Sequence, residues 1–235
     1  MSLLSKISPF EKRDLFIAWF VLGVAFTIAL GGLRIGADMS SITWQKVLLT
    51  FVIALVTVGV SFVFHEMAHK FTAIKFGYWA EFRKSTSMLL ISLAVAVITG
   101  FVFAAPGATM INTAGREMTK KESGVISVAG PLTNIVLVIP FVILMIVGIV
   151  LGGAEPLAGG YLINVFSLPG FLFYAGLTGF SVNAMLAFFN MIPAGPLDGK
   201  KILRWSPMIF IVVLVAALLL VFLSVQPNVI ISLFV

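Results

Sequence analysis

The chain has 235 residues, 60% of them hydrophobic and only 10% charged, with a formal net charge of +6 at pH 7. That balance excludes a water-soluble globule and points to a chain that crosses a bilayer several times. It contains no cysteine, so disulfides and thiolate metal sites are excluded, and any metal must be held by His, Asp or Glu.

In chain order, the first apolar run covers 15–33, behind Lys12 and Arg13. It is long enough to cross at about 1.5 Å per residue and longer than the apolar core of a cleaved signal, so it reads as a retained span. A second helical pattern runs from Val47 to Phe76, with Gly77 as its stop. Residues 88–105 are apolar but harder to place. The strand-like stretches Phe101–Ala105 and Ala108–Asn112 flank the turn pair Pro106-Gly107, which predicts a short re-entrant helix followed by a β-hairpin. Further runs at 123–151, 162–191 and 207–225 are each long enough to span. The fold class is therefore an all-α polytopic membrane protein of about five to six transmembrane helices, with a small re-entrant or β-hairpin element near residues 88–113. The whole chain, 1–235, reads as one transmembrane domain.

The basic residues lie in clusters between the runs: Lys6, Lys12 and Arg13; Lys70, Lys75, Arg83 and Lys84; Arg116, Lys120 and Lys121; Lys200, Lys201 and Arg204. Such clusters set topology and give no reason to invoke nucleic acid. If all four share the cytoplasmic side, the N-terminus lies there too, and 88–113 must enter and return without crossing. Backbone of that kind at membrane depth needs protein or a wet cavity beside it.

The only two histidines, His65 and His69, stand four residues apart with Glu66 between them, near the far end of the second span. On a helix, positions i and i+4 share a face, so both imidazoles can reach one metal ion while Glu66 reaches a water bound to it. His-Glu-x-x-His is the pattern of a zinc hydrolase, and ionisable groups inside an apolar span usually have a task. A catalytic zinc site takes three protein ligands and an open position. Among the remaining acids Asp198 stands out, because it follows a long span in the Pro- and Gly-rich stretch 190–199, which interrupts regular helix. Two crossings, 123–151 and 162–191, would return it to the side of the histidines. A helix N-cap is the plainer use of the same residue.

At this point the chain resembles the site-2 protease family of intramembrane zinc metalloproteases. The resemblance rests on His65-Glu66-x-x-His69, on Asn190-x-x-Pro193-x-x-x-Leu197-Asp198-Gly199, and on Gly130-Pro131-Leu132-Thr133-Asn134 between them. It covers roughly residues 47–205 as the catalytic core, with 15–33 and 207–225 as peripheral spans, in the form of a minimal, archaeal-type member without a PDZ insertion. The resemblance implies one Zn²⁺ held by His65, His69 and Asp198, with Glu66 as general base and Asn134 stabilising the oxyanion. Asn190 is expected either to orient a ligand or to cap a helix end. The implied substrates are transmembrane helices of other proteins in the same bilayer, cut in regulated intramembrane proteolysis at the cytoplasmic side of the cell membrane. An unwound substrate could pair with the hairpin at 101–112 by strand addition. The alternative is a non-proteolytic membrane metal-binding protein or transporter.

Overall fold

The computed structural model describes residues 7–40, 42–102, 106–152, 156–157, 160–161, 164–226 and 229. In chain order the elements are α1 (Pro9–Leu30), α2 (Trp44–Lys75), β1 (Trp79–Lys84), α3 (Thr86–Thr99), β2 (Gly107–Asn112), α4 (Lys120–Gly152), β3 (Pro156–Leu157), β4 (Gly160–Tyr161), α5 (Leu168–Asn190), α6 (Asp198–Trp205) and α7 (Pro207–Val225). Five of them, α1, α2, α4, α5 and α7, are long and apolar enough to cross a membrane. The molecule is a mostly helical, multi-pass membrane protein.

Helix ends follow local chemistry. Ser8, Thr43, Ser85, Ser167 and Ser206 each accept a backbone N–H from the first turn of the helix that follows, satisfying a donor with no partner inside the helix. Pro9, Pro169 and Pro207 sit in first turns, where a missing N–H does no harm. Gly77 ends α2 as expected: its φ of 82° is open to glycine, and its N–H returns to Ile74 O at 2.9 Å. The run expected from 162 begins its helix at Leu168, because Ser167 caps it there.

The difficult segment enters and returns. α3 has 14 residues, and its C-terminal turn reaches the loop beyond α1, where Ile35 N bonds Val97 O at 2.8 Å. The chain then comes back: Pro106 O accepts from Ser85 N at 2.8 Å, and Gly107 pairs with Lys84. Both ends of the excursion therefore lie at one place.

The partner of β2 differs from the expected one. β2 pairs antiparallel with β1, from Trp79↔Asn112 to Lys84↔Gly107, rather than with Phe101–Ala105 across a Pro-Gly turn. Phe101 and Val102 lie outside any strand, and 103–105 lie outside the described residues. The charges of residues 81–84 make this stretch read as a basic loop, yet Ala80, Glu81 and Phe82 are all buried. Phe82 packs edge-on against Phe62 of α2, with ring centroids 5.4 Å apart.

α1 holds this sheet in place. Glu11 is fully buried, paired with the equally buried Lys70 of α2, and accepts Phe82 N–H at 3.0 Å. Asp14, one turn along, accepts Lys84 N–H at 3.4 Å.

α4 and α5 meet backbone to backbone. A Cβ on Gly148 would lie 2.5 Å from Phe173 N, and one on Gly176 would lie 2.6 Å from Phe141 O and closer still to Met145 N. Without a hydrophobic force between helices in lipid, such close approach supplies the packing energy. Gly176→Ala must therefore push the pair apart, at about 1–3 kcal/mol. Gly23→Ala meets the movable tip of Leu55 first and should change little. Thermal unfolding midpoints of the two variants in detergent check the contrast.

Candidate metal centre

α2 sets His65 and His69 one turn apart on a single face, with ring centroids 4.7 Å apart and both side chains buried. Opposite them runs α4, antiparallel in register: Ile126, Gly130 and Asn134 face His69, both rings, and His65 in turn. Gly130 makes the approach possible, since a Cβ there would lie 2.6 Å from His65 Cε1 and closer to His69 Nε2. One turn to either side, α4 supplies an acceptor to each ring. Asn134 Oδ1 lies 2.6 Å from His65 Nδ1, and Ile126 O lies 2.8 Å from His69 Nδ1. Acceptors on both Nδ1 atoms place the ring protons there and leave both Nε2 lone pairs free.

Asp198 reaches the rings through the break between α5 and α6. Gly195 turns the chain with φ of 53°, and a Cβ on Gly199 would overlap Met191 O, so only glycine lets α6 begin this close to the end of α5. Asp198 starts α6 but does not cap it, and its carboxylate turns inward instead. Oδ2 lies 3.1 Å from His69 Nε2 and 3.6 Å from His65 Nε2, and the two Nε2 atoms are 3.0 Å apart. Among the described residues, His65, His69 and Asp198 are the one group of such side chains placed to share a metal ion.

Glu66 is buried, and its carboxylate accepts from Thr109 Oγ1 of β2 at 2.7 Å. Asn190 turns to its own helix, donating to Leu186 O at 2.9 Å. Glu81 pairs with Arg83 at 3.0 Å and Glu122 with Arg116 at 2.7 Å; neither belongs to the group at the rings. Glu155 lies outside the described residues. Thr109, Asn183 and the Ile126 carbonyl were not singled out by motif. Thr109 and Asn183 are ordinary polar residues in apolar context, and a carbonyl leaves no trace in a sequence.

The profile of peptidase family M50 matches residues 53–210. The chain belongs to this family, that of the site-2 proteases. A protein of Methanocaldococcus jannaschii named as a zinc metalloprotease is 37% identical over 166 residues, covering 71% of this chain and 76% of its own. A Bacillus subtilis protein named in the same way is 28% identical over 165 residues, 64% of this chain and 67% of its own. No solved structure matches. The matched region contains both histidines, Gly130 and Asp198, so the family match and the convergent side chains coincide.

Removing the clearance between α2 and α4 should damage the centre without touching a ligand. Gly130→Ala is expected to lower zinc affinity by about 10–100-fold, as loss of ligand orientation does, and Asp198→Ala to abolish stoichiometric binding. Zinc content after dialysis against a weak chelator checks both.

Proposed function

We propose that the chain is an intramembrane zinc metalloendopeptidase that hydrolyses peptide bonds within or near transmembrane helices of other membrane proteins. The observation that carries this reading is the meeting of three ligand atoms from α2 and α6, across two intervening spans, beside the carboxylate of Glu66. The donor set fits the metal. Tetrahedral zinc with bonds of about 2.0–2.1 Å needs ligand atoms about 3.3 Å apart. The observed separations of 3.0, 3.1 and 3.6 Å bracket that value. The names of the relatives support the same metal and reaction.

His65, His69 and Asp198 would hold Zn²⁺, which supplies Lewis acidity toward the scissile carbonyl and makes a bound water acidic near neutral pH. Glu66 takes the proton from the attacking water and returns it to the leaving amide nitrogen. Thr109 donates to Glu66 Oε2 and keeps that carboxylate in one orientation. Asn134 acts at His65 rather than at an oxyanion: both its amide hydrogens are engaged, with Ser61 O at 3.2 Å and Asn183 Oδ1 at 2.8 Å. The core of 47–205 carries every residue given a role, and α1 supports it through Glu11 and Asp14. The clustered positive charges favour an N-terminus and active site on the cytoplasmic side of the cell membrane.

A helix must unwind before its backbone can be cut, and β2 offers the unwound segment a partner. The Ser85–Pro106 bond sets the phase of the sheet: Ala108, Met110 and Asn112 bond toward β1, while Thr109 and Ile111 turn their backbone groups outward. The opposite edge is closed, because Phe82 and Lys84 N–H groups are taken by Glu11 and Asp14. Strand addition is thereby directed to β2, beside Glu66, in place of the hairpin expected at 101–112.

Purified chain in detergent, incubated with single-span substrates with and without chelator, tests the reading. Glu66→Gln should keep its zinc and lose about 10²–10⁴-fold in cleavage rate; undiminished cleavage would remove Glu66 from the chemistry. Ile111→Pro deletes one outward N–H while leaving the bonds to β1. It should slow cleavage with zinc content unchanged, and an unaltered rate would exclude strand addition at this edge.

A further inference from the structure

A second asparagine, Asn183 of α5, is fully buried between α2 and α4 and has no part in the chemistry above. We infer that Asn183 is a positioning residue for the metal centre, acting through Asn134 to hold His65 with its Nε2 lone pair facing the cation. The inference rests on the proposed zinc site.

Backbone carbonyls fix the direction of every bond in this network, because they accept and never donate. The Asn183 amide meets Gly179 O at 2.8 Å, so Nδ2 is the atom turned to that carbonyl. The same nitrogen donates to Ser61 Oγ at 2.7 Å, and Ser61 passes its own hydrogen to Thr57 O at 2.7 Å. Asn183 Oδ1 is left to accept from Asn134 Nδ2 at 2.8 Å, whose second hydrogen goes to Ser61 O at 3.2 Å. Asn134 Oδ1 must then face His65 Nδ1, at 2.6 Å, and an acceptor there requires the ring proton on Nδ1. Turning Asn183 over would set its oxygen against Gly179 O. Turning Asn134 over would set its amide hydrogens against Nδ1 and favour the tautomer that carries its proton on Nε2, which cannot bind a metal.

Thr57, Ser61, Asn134 and Asn183 are all fully buried, on three spans. An unpaired amide is costly there, so the network has one low-energy arrangement, and it ends at a metal ligand. An asparagine that only joined α5 to α2 would bear on stability and leave metal affinity alone.

The test is zinc affinity of the full chain in detergent, measured by competition with a chelator, together with the visible spectrum of the cobalt-loaded protein. Asn183→Leu should lose about 10–100-fold in zinc affinity, as loss of a ligand's hydrogen-bond partner does, with a changed cobalt spectrum. In an Asn134→Leu background the same substitution should add almost nothing, since Asn183 acts through Asn134. Affinity within about twofold of native, or losses that multiply in the double variant, overturns the inference. If Asn183→Leu does not fold, Asn183→Ser, too short to reach Asn134, must show the same loss, and native affinity in that variant overturns the inference equally. A native chain that binds no zinc sinks the metalloprotease reading itself, an outcome distinct from native binding that Asn183 fails to alter.

Discussion

The seating of α2 against α4 governs the centre of this molecule. Ser61, His65 and His69 form one stripe of α2, and Ile126, Gly130 and Asn134 form the facing stripe of α4. Within a bilayer, buried polar groups find partners inside the protein or not at all. The two stripes meet that demand group for group: each imidazole Nδ1 has an acceptor from α4, and Asn134 gives its amide hydrogens to α2 and α5. Gly130, with no side chain, sets how close the stripes can come. The free lone pairs converge because everything else on the rings is already spoken for.

The rest of the fold brings two further parts to that face. The break between α5 and α6 delivers a carboxylate to imidazoles that lie far away in sequence, and it can do so because Gly195 and Gly199 allow a path no other residue would follow. The small sheet delivers Thr109 to Glu66, while its register and the carboxylates of α1 leave one edge open and one closed. In the proposed protease, the ligands, the base and the substrate strand would thus be held by separate elements, with the buried Glu11–Lys70 pair keeping sheet and spans together. Removing one member of such a pair strands a charge in the interior, so α1 bears on the stability of α2 and the sheet.

Much of this was written in the chain itself. Apolar runs and positive clusters pointed to about five to six spans and a returning segment, and five helices are long and apolar enough to cross, because length and charge act locally against a bilayer of fixed thickness. His65, Glu66 and His69 were legible because helical periodicity converts a four-residue spacing into a shared face. Asp198 was legible through parity of crossings and the helix-breaking residues around it. What only the tertiary structure decided was pairing: that β2 joins residues 79–84 across α3, that Thr109 holds Glu66, that Asn190 turns to its own helix, and that Asn134 and Asn183 face His65. Hydrogen bonds between distant segments depend on which faces meet and at what depth, and neither periodicity nor composition records that.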